Sequence, residues 1–298
     1  MVDVCAVGYV TRESETFRGV YREFTAGPPY FFSMALRRLG SSVMIVTRLN
    51  MEDEHILKEL RDLGIRITVI PGKHTTSFHT DYGRSLDERY LKVISVGEPF
   101  DYRDLNYCYT CRYLYIGPLT TRDFDLEFFK KAYHIAPIIL DVQGFTRMVV
   151  GDKIEYVDWI WKFEGSRYVT IFKADAKEAK LLTGLSNPAM AARVISSWGP
   201  REVIVTSGEG VYVYVKDEGL FFAPFKVDVI KGRVGRGDTC TGAYVHARLR
   251  GWSYEYAVKF AAAATSLKLM YPGPLRNTEE EVRKFIKEKY RDVKTRIE

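Results

Sequence analysis

The sequence predicts an α/β fold, a three-layer α/β/α arrangement with a mostly parallel central sheet and a small β-flap, or lid, at one end. Three observations carry this. Short β-branched runs alternate with amphipathic stretches through residue 206, the rhythm of buried parallel strands covered by helices on both faces. Residues 17–24 and 76–96 instead alternate apolar with polar, as strands with one wet face do. Three consecutive helical stretches then close the chain.

The elements follow in order. Residues 2–8, VDVCAVG, read as a buried first strand. Gly27-Pro28-Pro29 opens a helix over 28–39, in which Phe31, Met34, Ala35 and Leu39 fall at helical spacing. A strand follows at 43–48. Asn50 reads as an N-cap, with Asp53 three residues on, for a helix reaching 63. Further strands are predicted at 66–70, 112–116, 138–141, 168–172 and 203–206. Helices are predicted near 122–133, 176–182 and 188–198, the last opened by Asn-Pro and closed by Gly-Pro. The final helices are placed at 238–250, 253–270 and 278–289, with Thr278 and Glu281 as a capping box. The middle one, containing AVKFAAAATSLKLM, is apolar nearly all round and so should be buried. The lid takes its strands from about 9–25 and 66–97, with an interruption at GRSLDER. No repeat, low-complexity run or linker divides the chain, so one domain over 1–298 is expected.

Composition excludes several classes. The net charge is +6, but the cations are scattered, with no basic run interleaved with aromatics to bind nucleic acid. No apolar run reaches membrane-spanning length. The start, MVDVCAVGYV, lacks the basic region of a signal peptide, so a cytoplasmic location is expected. Of the cysteines Cys5, Cys108, Cys111 and Cys240, the pair Cys108/Cys111 forms a CxxC, but no second pair completes a zinc site. They read as two small side chains near a strand start. Asparagine occurs four times and glutamine once among many Glu, Lys and Arg, the balance of a thermophile protein.

The chemistry concentrates in GRVGRGDTCTGAY. Residues 232–239 read G-x-x-x-x-G-D-T, where a P-loop would need lysine in place of Asp238. After the first strand comes GYVTRES, with one glycine, so a dinucleotide fingerprint is absent. What remains is Gly235-Arg236-Gly237-Asp238 entering a helix whose apolar face is Cys240, Ala243, Tyr244 and Ala247. Glycines let backbone N–H groups converge, and the helix start adds partial positive charge. Such a nest stabilises charge on a phosphoryl group in flight. Asp238, at its mouth, can accept a hydroxyl proton, and the helix dipole should keep its pKa low. The single glutamine, Gln143, lies in DVQGFTR just past the strand at 138–141, and Arg147 follows four residues on. Ligands bind at such strand ends.

Gly235–Asp238 resembles the G-A-G-D signature of ribokinase-like (PfkB) carbohydrate kinases. Other segments fall in that family's order. AGPPYFFSMALRRLG resembles its glycine-pair helix. DAKEAKLLTG resembles its N-x-x-E motif, with Asp175 for the asparagine and Glu178 in place. VTSGEGVYVY, with Thr206 and Gly208, resembles its nucleotide loop, one residue short. FAAAATSLKLMYPGP resembles its penultimate helix.

The resemblance implies a kinase acting on a sugar or polyol hydroxyl. Asp238 would be the general base, and the N–H groups of Gly235, Arg236 and Gly237 the anion hole. Asp175 and Glu178 would order Mg2+ through water beside the donor phosphates. Thr206, Gly208, Lys231, Arg233 and Arg236 would contact the donor. Glu13, Gly27, Gln143 and Arg147 would hold the acceptor with Asp238. Glu13 stands where the family has Asp, Phe31 where it has Asn, and Ala26 replaces the first glycine of the pair. D-x-Q-G-F-x-R and G-R-G-D-T-C-T together are similar to the myo-inositol kinase branch, which makes that cyclitol the expected acceptor. A general sugar or nucleoside kinase, or a non-catalytic ligand-binding homologue, is the alternative. ATP is the expected donor. Arg236 brings a cation into a loop of bare backbone, with Lys226, Lys231 and Arg233 just upstream, and so points also to pyrophosphate, a donor held mostly by charge and hydrogen bonds. The open edges of the lid strands would allow a homodimer.

Overall fold

The computed structural model describes residues 2–83, 89–108 and 110–297, with Arg89 described by its backbone only. The strands are β1 (Val2–Gly8), β2 (Thr11–Phe17), β3 (Val20–Ala26), β4 (Val43–Leu49), β5 (Arg66–Pro71), β6 (Ser77–Tyr82), β7 (Arg89–Ser95) and β8 (Cys111–Gly117). They continue as β9 (Ile138–Asp141), β10 (Arg147–Val150), β11 (Lys153–Tyr156), β12 (Val169–Asp175), β13 (Glu202–Thr206), β14 (Gly210–Val215) and β15 (Gly219–Pro224). The helices are α1 (Pro28–Arg38), α2 (Lys58–Asp62), α3 (Leu126–Tyr133), α4 (Lys162–Ser166) and α5 (Ala176–Thr183). After them come α6 (Pro188–Ser197), α7 (Arg236–Leu249), α8 (Tyr254–Leu269) and α9 (Glu279–Lys289).

The main sheet has nine strands in the order β15-β14-β13-β12-β9-β8-β1-β4-β5. It is parallel from β13 to β5, and the β14–β15 hairpin closes one edge antiparallel. One core face packs residues of α1, α7, α8 and α9, and the other packs residues of α3, α5 and α6. The buried reading of α8 holds: Ala261, Ala262, Ala263 and Ala264 are wholly buried. Small side chains let this helix lie close to α7, and Phe260 adds about 1.5–3 kcal/mol of burial. Among the described residues no helix is long and apolar enough to cross a membrane.

The second sheet has the order β10-β11-β7-β6-β2-β3, antiparallel except for β2 beside β6. Its limits differ from the expected ones. Residues 66–71 pair parallel with β4 in the main sheet, so that part of the lid begins at Ser77. The alternating stretch 17–24 contains the tip of a hairpin, where Arg18 and Gly19 take positive φ between paired Phe17 and Val20, as a two-residue turn requires. β10 and β11, four residues each, complete the sheet; runs so short carry too few alternations to be read as strands. Residues 84–88 of the GRSLDER interruption lie outside the described residues.

Two further expectations change. After Asn50, whose Oδ1 accepts from the Glu52 N–H at 3.0 Å, the chain forms a 3-10 helix over Met51–Leu57 before α2. Asp53 turns away to pair with Arg12 at 3.0 Å instead of closing a capping box. Cys108 is also not a bystander: it forms a disulfide with Cys5, 103 residues earlier, while Cys111 stays free. Only the fold brings the two half-cystines together, so the reading of Cys108 as a small side chain near a strand start is corrected.

Candidate active site

The C-terminal ends of β8, β9, β12 and β13 meet the first turns of α5 and α7. There the main sheet delivers its polar side chains. Asp238, in the first turn of α7, accepts a hydrogen bond from the Tyr115 hydroxyl at 3.3 Å. Tyr115 is held in place by stacking on Phe32, with ring centroids 3.9 Å apart. Asp141, at the end of β9, accepts from the Lys173 ammonium through Oδ1 at 3.1 Å, and its Oδ2 is ion-paired with the same Nζ at 2.9 Å. Glu178 is 4.0 Å from the same Nζ. Lys173 also lies against the glycine loop before α7: a Cβ on Gly237 would stand 2.7 Å from its Nζ.

Burial sets the protonation of this group. It pushes the Asp238 carboxyl up to about 7, with Asp141 adding to the shift and Lys173 opposing it. The low value expected from the helix dipole is therefore overturned, because desolvation and a neighbouring carboxylate outweigh a partial charge. Glu178 is likewise raised to about 7, first by burial. Burial works against the Lys173 ammonium, but Asp141, Glu178 and Asp238 hold its pKa well above the ordinary lysine value.

Gly235 caps α7 with φ 76. A Cβ there would come within 2.3 Å of the Phe31 ring, so Phe31 supports the loop from below. Arg236 N–H donates to Arg233 C=O at 3.2 Å. The turn thus takes up one of the three N–H groups expected in the anion hole. Thr239 N–H makes the first helical bond, to Gly235 C=O at 3.0 Å. The N–H groups of Gly237 and Asp238 precede it and have no carbonyl partner within the helix, and that of Asp238 lies by its own carboxyl. Gly235→Ala is expected to cost about 1–2 kcal/mol from the left-handed backbone alone, plus displacement of Phe31. Chemical denaturation should show the loss, and anion binding should weaken with it.

Of the residues expected to serve the donor, Asp175, Glu178 and Thr206 lie at the ends of neighbouring β12 and β13 and the start of α5. Asp175 caps α5, accepting from the N–H groups of Lys177 and Glu178, and Glu178 Oε2 accepts from Asp175 N–H at 2.7 Å. Asp175 Oδ2 and Glu178 Oε1 stand outside this box. Among the described residues no group of three or more His, Cys, Asp or Glu side chains could hold a metal ion. Two carboxylates with oxygens to spare fit Mg2+ held through water and donor phosphates, the way that ion is usually bound. The buried Thr206 Oγ1 has no protein partner and lies 4.0 Å from the Cβ position of Gly237. Gly208 faces open space. Lys231 and Arg233 are exposed, whereas Arg236 is half-buried and its charge is felt at Cys240 and Lys268.

Of the residues expected to hold the acceptor, Glu13 of β2 accepts from Thr11 Oγ1 at 3.0 Å, and burial lifts its pKa to about 7 against the pull of Thr11 and Arg147. The Arg147 charge also acts on Glu178, and its Nε is buried without a partner. Gln143 is half-buried in the turn after β9. Gly27 has a backbone role: a Cβ there would meet the Tyr9 carbonyl oxygen at 2.2 Å.

Sequence reasoning missed Lys173, Asp141, Tyr115 and Lys268. The signal for Lys173 was present as one cation inside the apolar strand VTIFKAD. Lys268 was a cation inside a helix read as buried, and its Nζ donates to the Gly232 carbonyl at 2.9 Å. Tyr115 and Asp141 carried no such mark.

The model of the pfkB family of carbohydrate kinases matches residues 21–281. The fold is similar to that of a pyrophosphate-dependent kinase in the ribokinase family, solved as a sulfate complex. That likeness has a TM-score of 0.87 and 31% identity, covering 94% of this chain and 99% of that one. A pyrophosphate-dependent kinase in the ribokinase family complexed with a pyrophosphate analogue and myo-inositol is similar at a TM-score of 0.86 and 30% identity, over 94% of this chain and 99% of that one. Among curated proteins, the cytidine kinase of Thermococcus kodakarensis is 34% identical over 93 residues, 30% of this chain and 34% of its own length. The ribokinase of Arabidopsis thaliana is 26% identical over 150 residues, 47% of this chain. The chain thus spans about a third of the length of each curated relative.

Proposed function

The chain belongs to the pfkB family of carbohydrate kinases, phosphotransferases with an alcohol acceptor, and we propose that it phosphorylates myo-inositol with pyrophosphate as donor. The observation that carries the donor half is the gathering of cations at the phosphate loop. Lys173, Arg236 and Lys268 surround Gly232–Gly237, two of them fully or nearly buried. A donor without adenine must gain its affinity from charge and hydrogen bonds. The sequence alone favoured ATP; the added cations and the pyrophosphate-dependent relatives support the other donor. Gln143, Arg147 and Glu13 offer donors and acceptors in the numbers a polyol needs.

In the proposed reaction an acceptor hydroxyl oxygen forms a bond to phosphorus as the bridging P–O bond breaks. Its proton passes to Asp238, and orthophosphate leaves. The Gly237 and Asp238 N–H groups and Lys173 stabilise the charge on the phosphoryl oxygens. Asp175 and Glu178 would hold Mg2+ through water, and the ion would offset donor charge when bound. The lid strands β3 and β10, at open sheet edges, are proposed to pair between two subunits.

A panel of inositol, ribose, fructose and cytidine against pyrophosphate, ATP and ADP tests this on wild type and Arg236→Ala. Turnover is expected with inositol and pyrophosphate. Arg236→Ala should raise KM for pyrophosphate roughly tenfold or more, the value of one charge-assisted hydrogen bond. Phosphorylation of sugars or nucleosides but not inositol would remove the acceptor assignment. Cytidine is included because of the local likeness to the cytidine kinase. An Arg236→Ala variant unchanged with every donor would remove the role of that arginine.

A further inference from the structure

Lys268 sits in the last turn of α8 and is wholly buried. Its Nζ donates to the carbonyl of Gly232, the residue at which the chain enters the phosphate loop. The same helix end takes the loop's backbone: the N–H groups of Lys231 and Gly232 donate to the Leu269 carbonyl at 2.8 and 3.4 Å. Gly232 itself is pressed against the chain that follows, since a Cβ there would stand 2.5 Å from the Tyr271 carbonyl oxygen. The Phe31 ring separates this ammonium from Gly235, with Nζ 6.0 Å from its centroid.

The charge balance around Lys268 differs from that around Lys173. Lys173 is surrounded by Asp141, Glu178 and Asp238. Among the described residues no carboxylate lies within 4.0 Å of Lys268 Nζ. Burial draws its pKa down to about 8; Asp238 supports the charge from a distance and Arg236 opposes it. A buried ammonium whose partners are one carbonyl and the face of the Phe31 ring is costly. Gly232, its carbonyl partner, opens the glycine loop that leads into α7.

We infer that Lys268 is a positioning residue for the phosphoryl donor, a fixed cation behind the phosphate loop. It holds the loop through the Gly232 carbonyl, and its charge is balanced by donor phosphate rather than by a protein carboxylate. This rests on phosphoryl transfer at Asp238, but one arm of its test needs no acceptor.

The test uses the full chain with Lys268→Met, which keeps length and removes charge, and Lys268→Gln, which can keep the hydrogen bond without the charge. For both, the melting temperature without ligand is expected to be unchanged or higher. The rise in melting temperature caused by inorganic pyrophosphate should shrink to half or less. The kcat is expected to fall roughly tenfold or more, with KM for the acceptor within about twofold of wild type. Wild-type kcat and pyrophosphate stabilisation in Lys268→Gln would overturn the role of the charge. A fall in unliganded melting temperature in both variants, matched by the loss of activity, would make Lys268 a merely structural residue and overturn the inference. A wild type that is stabilised by pyrophosphate yet phosphorylates no acceptor would count against the proposed function instead, and the pyrophosphate arm would still decide Lys268.

Discussion

Asp238→Asn is expected to lose turnover by roughly a hundred- to ten-thousandfold, the usual worth of a general base, and yet to melt above the wild type at pH 8. Both effects follow from one placement. Asp238 stands at the mouth of α7 with Tyr115 donating to it and Gly237 beside it. Asn keeps the shape but cannot take the acceptor proton. The stability effect follows from the raised pKa. The folded state binds a proton at Asp238 up to about pH 7, whereas the unfolded carboxyl loses it near 3.8. Stability from this group is therefore full below the unfolded value and declines as pH rises from about 4 through 7. Above that, an ionised carboxylate is held in a buried site beside Asp141. Asn removes this penalty. Turnover of the wild type should rise with pH through the same region, because the base must be ionised. Glu178 and Glu13 are also raised to about 7, so the rising limb belongs to the cluster. The difference in unfolding free energy between wild type and Asp238→Asn, followed from pH 4 to 8, isolates Asp238. A difference that does not change with pH would contradict the raised pKa.

Lys173→Met is expected to destabilise the protein by about 3–5 kcal/mol, as when one partner is removed from a buried ion pair, and to reduce turnover as well. Asp141 and Glu178 have 1% and 6% of their side-chain surface exposed. Without the ammonium their charges, with that of Asp238, face one another in a site that water barely reaches. Lowering the pH should recover part of the loss by protonating them. The double variant Lys173→Met/Asp141→Asn should recover more, because it replaces the pair with neutral groups. Its turnover should stay low, since the cation against Gly237 is still missing. Urea unfolding of the three proteins measures the first effect and steady-state rates the second. A single variant as stable as the wild type would show that Lys173 and Asp141 do not form the buried pair described.

Much of the fold was legible because it is written locally. Gly-Pro-Pro opens α1 and Asn-Pro opens α6 as their local chemistry requires. Thr278 and Glu281 announced their capping box by spacing alone, and the glycines at 235 and 237 announced the turn before α7. What stayed illegible depends on distance along the chain. Lys173 and Asp141 come together only because β12 lies next to β9. Cys5 finds Cys108 by the same kind of convergence, through β1 and the segment before β8. The Asp238 pKa needed the depth of the site, which no local pattern encodes. The engagement of Arg236 N–H by Arg233 depended on the turn's dihedral angles. Phe31 was noted as a departure from the family pattern, but its contact with Gly235 required the packing of α1 against α7.

The most direct measurement follows the phosphorus resonances of pyrophosphate with myo-inositol, Mg2+ and enzyme. One inositol monophosphate and one orthophosphate should form for each pyrophosphate consumed, with wild type and not with Asp238→Asn. Pyrophosphate left intact while ATP supports the transfer would contradict the donor assignment, and inositol left unmodified while another alcohol is phosphorylated would contradict the acceptor.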